Sequence, residues 1–327
     1  MTSIKRIGVL TSGGDAPGMN AAIRAVVRTA IYHHIEVTGI YRGYEGLIEN
    51  DLFEMDSRSV SSILTQGGTV LKSARCPEFR TKEGRATAYQ NLKKANIDAL
   101  VTIGGDGTFT GAEVFSDEYD IPVMCIPGTI DNDLFGTDYT IGYDTANNTV
   151  IEAIDKIRDT AASHSRLFFV EVMGRDSGCI ALNAGVAAGA EAILMPEKDT
   201  AIDELIQMLE DGMDKNKSSM IVIVAEGEKN GGAYHVAKRV KEKFDFFDTK
   251  VSILGHLQRG GSPSSFDRIL ATRMGYHAVK ELLKGNSKST IGFKGNQIVT
   301  TPLHVALHSD VFKIDEELLE ISKVMSI

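Results

Sequence analysis

The feature of this sequence that most constrains its fold is a repeated order of apolar run, polar or glycine-rich loop, and helix pattern. Residues 7–10, 99–103 and 123–126 are short apolar runs of this kind in the first half, and residues 220–225 and 251–254 follow in the second. Strands that alternate with helices in the chain tend to pair in parallel, because a helix carries each connection back across the sheet. The sequence therefore predicts an α/β fold with mostly parallel sheets.

The length of the chain predicts more than one domain. A chain of 327 residues is longer than one ordinary hydrophobic core supports. The sequence contains 32 glycines and 7 prolines, a balance that favours tight strand-to-helix turns, and it has neither an internal repeat nor a proline-rich linker. We therefore expect two domains that are interleaved along the chain rather than joined by a linker.

Composition and charge exclude several classes of function. Hydrophobic residues make up 43% of the chain and charged residues 24%, as in a soluble globular protein, and no apolar run approaches the roughly 20 residues of a membrane span. The first residues enter a strand pattern without a secretory segment, so we expect a cytoplasmic protein. The net charge of −9 disfavours nucleic acid and membrane partners, both of which need a basic surface. Cys76, Cys125 and Cys179 lack the spacing of a disulfide framework or a zinc site.

The segment TSGGDAPG, residues 11–18, lies between the first strand and a helix predicted over residues 19–32. This is the arrangement in which backbone N–H groups at a helix N-terminus meet a phosphate, although such turns also serve only to reverse the chain. The helix carries Arg24 and Arg28 at i and i+4, a pairing of like charges that costs a few tenths of a kcal/mol unless an anion compensates. A solvated helix face is the alternative reading.

The segment GGDGT, residues 104–108, repeats the strand, loop and helix arrangement. Glycines let a backbone approach a polyphosphate closely, Asp106 can hold Mg²⁺, and Thr108 can cap the helix that follows. The same loop occurs in NAD kinases and lipid kinases, so it does not identify the phosphoryl acceptor. A Walker A pattern is absent from the sequence, which argues against a P-loop NTPase.

The segment PGTIDND, residues 127–133, follows the apolar run at residues 123–126. In an extended loop, Thr129, Asp131 and Asp133 face one side, where they can bind a metal and accept a proton. The alternative is that the Asp and Asn side chains only form turns after the strand.

Further polar groups follow other predicted strands. Arg175, Glu226, His256 and Arg259 come after apolar runs, and ligands of α/β sheets bind beyond the carboxyl ends of the strands. Any one of these charges is more often solvated than functional, but four of them together with two acidic loops indicate a binding site. Residues 39–48 are predicted to form a strand followed by a loop that contains Tyr44. Arg75 and Cys76 are predicted to be extended, because a proline follows them.

Taken together, these segments resemble the bacterial ATP-dependent 6-phosphofructokinases over nearly the whole chain. The matching stretches are LTSGGDAPGMNAAIR, SARCPEF, IGGDGT, PGTIDND, GYDTA, EVMGR, VAEG and LGHLQRGGSPSSFDR. The resemblance implies two Rossmann-like three-layer domains with mostly parallel sheets and an active site in the cleft between them. It places ATP on residues 1–142 plus 257–306 and fructose 6-phosphate on residues 143–256 plus 307–327. It also implies a cytoplasmic glycolytic enzyme that forms a homotetramer with active sites shared between subunits.

The resemblance also implies the reaction and the residues that perform it. The γ-phosphoryl group of ATP passes to the C1 hydroxyl of fructose 6-phosphate, with Asp131 as general base and Asp106 on Mg²⁺. Thr129 lies beside the transferring group, Asp133 supports the metal region, and Arg175 stabilises the transition-state charge. ATP contacts fall on Gly14, Tyr44, Arg75, Cys76, Gly105, Asp106, Gly107 and Thr108. Sugar phosphate contacts fall on Thr129, Ile130, Asp131, Met173, Gly174, Arg175, Glu226, His256, Leu257, Gln258 and Arg259, with Arg166 and Lys250 from a neighbouring subunit.

An effector site for ADP or phosphoenolpyruvate is implied in the same way, with departures from the family pattern. It maps onto Arg24, Arg28, Arg158, Gly189, Glu191, Lys215, Lys217, Ser218 and Ser219. Ser57 replaces an arginine, with Arg58 one place along, and residues 216–219 replace a more basic segment, so we expect weak effector binding. Lys250 stands where the family usually has arginine, and without the bidentate fork we expect a weaker hold on the 6-phosphate.

Two glycines distinguish the alternatives for the phosphoryl donor. Pyrophosphate-dependent relatives carry Asp at the position of Gly107 and Lys at that of Gly128, so this sequence favours ATP. A catalytically silent ligand-sensing subunit would be expected to lack Asp106, Asp131 or Arg175, all of which are present. A NAD or lipid kinase would not explain PGTIDND or residues 256–259. The range of nucleotide donors and the use of other sugar phosphates, such as tagatose 6-phosphate, stay open.

Overall fold

The computed structural model describes residues 4–162, 166–214, 219–244, 246–309 and 314–325. The chain divides into two compact units, each made of two segments. The first unit is Met1–Thr145 with Arg259–Val311, and the second is Ala146–Gln258 with Phe312–Ile327. The assignment of one domain to ATP and the other to fructose 6-phosphate stays a prediction.

Strands and helices alternate along most of the chain, as the sequence predicts. The strands are β1 Arg6–Thr11, β2 Glu36–Ile40, β3 Leu52–Met55, β4 Ala99–Gly104, β5 Val123–Pro127, β6 Arg166–Val172, β7 Ala192–Leu194, β8 Met220–Ala225, β9 Asp248–Ile253, β10 Ser289–Lys294 and β11 Gln297–Pro302. The helices are α1 Met19–Tyr32, α2 Tyr44–Glu49, α3 Lys82–Lys94, α4 Asp106–Tyr119, α5 Tyr143–Ala162, α6 Cys179–Ala187, α7 Ile202–Asp214, α8 Gly232–Lys243, α9 Ser265–Leu283, α10 Leu303–His308 and α11 Glu316–Met325. Short 3₁₀ helices cover Glu78–Arg80 and Gly255–Arg259.

The first unit is built on a sheet in which the described residues form seven strands, in the order β11-β10-β5-β4-β1-β2-β3. Its inner pairs are parallel, and only the edge pairs β10–β11 and β2–β3 are antiparallel. Every residue of β4 and β5 is buried, as expected of parallel strands that are covered on both faces. The prediction of a mostly parallel α/β sheet is confirmed.

The second unit has a sheet that consists, in the described residues, of four strands in the order β7-β8-β6-β9, all of them parallel. Its core contains Leu167, Phe169, Val222 and Val224 from the two central strands, packed against the buried faces of α7 and α8. Because the strands run in the same direction, the loops that follow β6, β8 and β9 leave the same edge of this sheet.

Several local predictions are confirmed and one is wrong. Helix α1 covers the residues that the sequence predicts for it. Helices α3 and α5 begin and end within two residues of the helices that the sequence pattern predicts over residues 84–95 and 144–160. Tyr44, expected in a loop, instead begins α2, directly after Gly43. In the described part of the chain, no helix has the combination of length and apolar character that crossing a membrane requires.

Candidate active site

Three of the loops that the sequence singles out lie side by side in the first unit. They follow β1, β4 and β5, which are neighbours in the sheet. Backbone hydrogen bonds join their first residues: the Ser12 amide donates to the Ile103 carbonyl at 3.0 Å, and the Gly128 amide donates to the Gly104 carbonyl at 3.0 Å. The strand order reverses at β1 and β4, which is where doubly wound α/β sheets bind ligands.

The loop after β4 leads directly into α4, which begins at Asp106. Gly105 precedes the helix in extended backbone, and no side chain of the described residues caps the first turn. Asp106 and Gly107 are exposed. A β-carbon built on Gly107 would meet no atom of the described residues within 4 Å. The first turn of α4 therefore combines backbone N–H groups that no described side chain caps with open space, which suits a phosphate.

Thr108 joins two loops instead of capping α4, so the prediction that it caps the helix is wrong. The helix starts two residues earlier, and the Thr108 hydroxyl donates to the Ser12 carbonyl at 3.1 Å. This contact ties the loop after β4 to the loop after β1. Gly104 is required beside it, because a β-carbon there would lie 2.5 Å from the same carbonyl oxygen.

Of the other residues predicted to contact ATP, Tyr44 is buried, whereas Arg75 and Cys76 are accessible. The Tyr44 side chain is buried, its hydroxyl donates to the Thr108 carbonyl at 2.6 Å, and its ring stacks on Phe79 with 4.0 Å between centroids. Burial raises the pKa of this phenol well above its ordinary value. Arg75 is exposed and Cys76 half-buried, in an irregular segment before Glu78–Arg80. Tyr44 thus supports the start of α4, and Arg75 and Cys76 are the accessible members.

The loop after β5 holds three of the four predicted catalytic groups, Thr129, Asp131 and Asp133. Thr129 and Asp131 are buried, with 7% of each exposed, and the Asp131 amide donates to the Thr129 hydroxyl at 3.2 Å. Asp133 is half-buried. The chain bends at Ile130 and Asp131, and Asn132 has a positive φ of 52°. The expectation of an extended loop with alternating side chains is therefore wrong, because alternation requires extended backbone.

The same loop is held by the segment that follows it. The Thr140 hydroxyl donates to the Thr129 carbonyl at 2.6 Å, and the Thr140 amide donates to Asn132 Oδ1 at 2.8 Å. The Asn132 side chain in turn donates to the Asp138 carbonyl at 3.1 Å. The sequence interpretation did not assign these contacts to Asn132 and Thr140.

Gly128 is fixed by packing. A β-carbon at this position would lie 3.0 Å from the Ile103 methyl Cγ2 and 3.0 Å from Met19 Cε, tighter than ordinary contact. A side chain at Gly128 would therefore have to displace groups of the core, whereas one at Gly107 would not.

Asp106 is the residue that the sequence predicts for Mg²⁺. Among the described residues, no three His, Cys, Asp or Glu side chains are grouped so that they could hold a metal by themselves. A single exposed carboxylate at a helix N-terminus fits the usual Mg²⁺ site, in which phosphate oxygens and waters supply most of the ligands.

Arg259, predicted to bind the sugar 6-phosphate, lies against the loop after β1. Its guanidinium donates to the Asp15 carbonyl at 3.2 Å. It also occupies the space beside Gly14, where a β-carbon would be 2.3 Å from Nη1 of Arg259. A side chain at Gly14 would therefore have to displace the Arg259 guanidinium, which is the far end of a flexible side chain.

In the second unit, Glu226 holds the loop that carries Arg175. Gly174 has a φ of 141° and Arg175 a φ of 57°, a left-handed conformation that is uncommon for a residue with a side chain. The Arg175 amide donates to Glu226 Oε1 at 2.8 Å, and a β-carbon on Gly227 would lie 2.0 Å from the Arg175 carbonyl. The Arg175 side chain is 72% exposed. The backbone is thus fixed while the guanidinium points into solvent.

Gln258, one of the predicted sugar contacts, is held by backbone groups of the second unit. Its side chain is fully buried, accepts from the Met173 amide at 3.1 Å and donates to the Gly255 carbonyl at 3.0 Å. His256 and Leu257, next to it, are exposed, and Met173 is buried at the end of β6. Gln258 therefore connects the end of β6 to the turn that presents His256.

Asp248 is a residue that the sequence interpretation missed. Its carboxylate contacts Lys250 Nζ at 2.8 Å and Arg166 Nε at 3.4 Å. The hydrogen bond from Lys250 is the largest cause of the lowered pKa of Asp248. Residues 248 and 250 lie on the same face of β9, and this spacing of two could have indicated the pair from sequence. Both cations that are predicted to reach the 6-phosphate from a neighbouring subunit thus contact one carboxylate.

The predicted effector residues are distributed over both units. In the first unit, Arg24 is half-buried and Arg28 exposed, and both line a cavity of about 300 Å³ with Tyr276 and His277. In the second unit, Arg158 donates to the Gly189 carbonyl at 3.0 Å. Glu191 is buried and accepts from the Ile221 amide at 2.6 Å. Ser219 is half-buried. Lys215, Lys217 and Ser218 lie outside the described residues.

Comparison with known proteins gives the following similarities. Residues 6–282 match the family model described as Phosphofructokinase. The chain is 55% identical over 327 residues to the ATP-dependent 6-phosphofructokinase 2 of Bacteroides thetaiotaomicron, covering 100% of both chains. It is 52% identical over 324 residues to the ATP-dependent 6-phosphofructokinase of Caldanaerobacter subterraneus, covering 99% of this chain and 100% of the relative.

Solved structures show the same fold. Phosphofructokinase from Saccharomyces cerevisiae superimposes with a TM-score of 0.90 at 39% identity, over 99% of this chain and 48% of the yeast chain. A pyrophosphate-dependent phosphofructokinase from Marinobacter aquaeolei superimposes with a TM-score of 0.85 at 22% identity, over 98% of this chain and 91% of that one. This second likeness bears on the fold alone.

Proposed function

The chain belongs to the phosphofructokinase family, and from this we propose that it transfers the γ-phosphoryl group of ATP to the C1 hydroxyl of fructose 6-phosphate, giving fructose 1,6-bisphosphate and ADP. The observation that carries the proposal is the position of two acidic loops on neighbouring strands. The start of α4 with Asp106 follows β4, the loop with Asp131 follows β5, and the Gly128 to Gly104 hydrogen bond joins them.

The nucleotide phosphates are bound by the first turn of α4 and the loop after β1. Three features support this: the uncapped N–H groups of α4, the open space at Gly107, and the Thr108 to Ser12 hydrogen bond that holds the two loops together. Asp106 holds Mg²⁺ together with the phosphates, and the ion supplies positive charge to the transferring group. Arg75 and Cys76 line the accessible side of the nucleotide site.

Asp131 acts as general base toward the C1 hydroxyl. Its backbone is fixed through Thr129, and the carboxylate is largely withdrawn from solvent. Phosphoryl transfer demands alignment and charge compensation more than covalent chemistry from the protein. A positioned base contributes about 10² to 10⁴ to such a rate. Asp133 supports the metal region, and Thr129 lies beside the transferring group.

The sugar phosphate is bound by groups at the carboxyl edge of the second sheet. Arg175 compensates the γ-phosphoryl charge from a backbone that Glu226 fixes. Glu226, Met173 and Gly174 contact the sugar. The 6-phosphate is bound by His256 and Arg259, and by Arg166 and Lys250 of a neighbouring subunit in a homotetramer.

ATP is the preferred donor over pyrophosphate. The open space at Gly107 supports this preference, because a nucleotide phosphate can occupy it. An ADP or phosphoenolpyruvate effector would bind at the residues assigned to the effector site. A glycolytic role implies a cytoplasmic location.

A coupled assay with each phosphoryl donor tests the proposal. We expect turnover of fructose 6-phosphate with MgATP and none above background with pyrophosphate. Asp131→Asn should lower kcat by about 10² or more, because it keeps the shape of the side chain and removes the base. Asp117→Asn is the matched control, since Asp117 is exposed near the end of α4 and forms an ion pair with Lys288. The proposal would be contradicted if Asp131→Asn kept the kcat of wild type, or if wild type turned over fructose 6-phosphate only with pyrophosphate.

A further inference from the structure

Asp267 is a buried carboxylate for which the proposed reaction has no role. It lies in the first turn of α9 and is 0% exposed. Oδ1 accepts from the Gly142 amide at 2.9 Å, and Oδ2 accepts from the Thr145 amide at 2.8 Å and the Thr145 hydroxyl at 2.5 Å. The carboxylate therefore holds residues 142–145 by three hydrogen bonds.

The segment that Asp267 holds is the outgoing end of the loop that carries Asp131. The Ile141 amide donates to the Pro127 carbonyl at 2.9 Å, which closes the two ends of residues 127–141 on each other. Within that closed loop, the hydroxyl of Thr140 donates to the carbonyl of Thr129. Any displacement of residues 142–145 is therefore transmitted to both ends of the loop.

The same corner contacts the loop after β1. A β-carbon on Gly18, which precedes α1, would lie 2.7 Å from the Ile141 methyl Cγ2 and 3.5 Å from Asp267 Cβ. Gly18 has a φ of 107°. The end of the predicted phosphate loop thus packs against the segment that Asp267 fixes, without room for a side chain.

Asp267 is not needed as the cap of its own helix. Ser264 precedes α9 and accepts from the Asp267 amide at 3.2 Å, so the helix has its cap without the Asp267 carboxylate. The three hydrogen bonds to the carboxylate all come from residues more than 100 positions earlier in the chain. The side chain therefore acts between elements that are distant in sequence.

We propose that Asp267 is a positioning residue for the proposed phosphoryl transfer, which holds the Asp131 loop in its reactive geometry through Gly142 and Thr145. The inference rests on the function proposed above. Three donors converge on the two oxygens, and an ionised carboxylate offers acceptors only. An asparagine in the same place would turn an NH₂ group toward one of these donors, which leaves a buried N–H group unsatisfied.

The first test compares Asp267→Asn with the matched variant Asp98→Asn in the full chain. Asp98 also accepts from two backbone amides, those of Lys5 at 2.7 Å and Arg6 at 3.0 Å, but it lies at the amino end of β4, the opposite edge of the sheet. We expect Asp267→Asn to lower kcat by about 10- to 100-fold, since small displacements of reacting groups have effects of that size. The KM values for ATP and fructose 6-phosphate should change by less than about threefold, and Asp98→Asn should keep kcat within about twofold.

A second pair keeps the test decisive if Asp267→Asn does not fold. Thr145→Val removes the hydroxyl that donates to Asp267, and that also accepts from the Ser264 amide at 2.9 Å, while Thr145→Ser keeps it. We expect a kcat loss of about tenfold or more for valine and less than about threefold for serine. The inference is overturned if valine and serine lose kcat equally, or if Asp267→Asn and Thr145→Val both retain it.

Hydrogen exchange separates this inference from the proposed function. Amides of residues 128–145 should exchange faster in Asp267→Asn than in wild type or Asp98→Asn, because the loop has lost its anchor. Unchanged exchange in this segment would refute the positioning role even in a protein without kinase activity. Absence of turnover in the wild type, by contrast, would refute the proposed function and leave the exchange result to decide the role of Asp267.

Discussion

Replacing Gly107 with aspartate tests whether a nucleotide phosphate lies against the first turn of α4. The fold has room for the change: a β-carbon at this exposed position meets no atom of the described residues within 4 Å. An aspartate in the first turn of a helix gains about 0.3 to 1 kcal/mol from the helix dipole, and replacing glycine within a helix is itself favourable. We therefore expect the free energy of unfolding of Gly107→Asp to stay equal to that of wild type or to rise by up to about 1 kcal/mol.

The effect on the reaction should have the opposite sign. Two unit charges 4 Å apart repel by about 1 kcal/mol in water and by about 4 kcal/mol at the effective dielectric constant of a protein surface. A carboxylate on Gly107 facing a nucleotide phosphate should therefore lower kcat/KM for ATP by between about 5-fold and about 10³-fold. Stability and activity are thus expected to move in different directions from one substitution.

The assay measures kcat/KM for ATP at saturating fructose 6-phosphate, together with urea unfolding, for Gly107→Asp and Gly107→Asn. Asparagine has nearly the same size as aspartate but no charge, so it separates crowding of the phosphate from repulsion. We expect the loss for asparagine to be clearly smaller than the loss for aspartate, and the aspartate variant alone should recover part of its activity at high salt, which screens exposed charges.

An unchanged kcat/KM for ATP in Gly107→Asp would refute the placement of the phosphates at this turn. Equal losses for aspartate and asparagine would refute the electrostatic reasoning and leave only crowding. A large drop in unfolding free energy would contradict the open space at Gly107.

Other parts of the site and of the fold give further predictions. Lys250→Arg should lower the KM for fructose 6-phosphate, because arginine binds a phosphate in a bidentate way; an unchanged KM would contradict the role of this residue. Isothermal titration calorimetry with ADP or phosphoenolpyruvate should show only weak binding away from the catalytic site. Tight binding at such a second site would refute the prediction that departures from the family pattern weaken the effector site. Glu118→Gln should lower the free energy of unfolding by about 1 to 2 kcal/mol, because Glu118 forms a two-point ion pair with the largely buried Arg85, at 2.6 and 2.7 Å. A change within experimental error in urea unfolding would count against this pair. Burial raises the pKa of Asp267 to about 6, so the native state keeps a proton that the unfolded chain releases at lower pH. The stability of wild type relative to Asp267→Asn should therefore fall by roughly 3 kcal/mol as pH rises from about 4 to about 7, and a pH-independent difference would contradict the shift.

The sequence by itself predicts the elements whose pattern is local. The period of apolar residues predicts α1 over its full length, and the buried runs predict β4, β5 and β8. The edge strand β11 and the three-residue β7 were not predicted, because β11 is only partly buried and short runs carry little pattern. β10, which lies between β11 and β5, was not predicted either, although its first five residues are buried. Local pattern marked the two acidic loops and the charges that follow strands, and the resemblance to a family supplied the remaining site residues and the substrates.

The roles that only the tertiary structure decided belong to contacts between distant residues. Thr108 has the residue type of a helix cap, yet it bonds Ser12, which is 96 positions away. Gln258 has the type of a sugar ligand, yet it is buried against Met173 and Gly255. In both cases the polar group is satisfied by the partner that the fold brings within reach.

The Asp131 loop shows the same division most clearly. The sequence of residues 127–133 predicted an acidic loop after a strand, but this prediction assumed that the backbone of the loop is extended. Asn132 has a positive φ, and the loop is closed on Pro127 and anchored by Asp267, 125 positions beyond Gly142. Residue types and local periodicity therefore determined which groups this protein presents, while long-range hydrogen bonds determined how they are held, since buried polar groups must find partners wherever the chain packs.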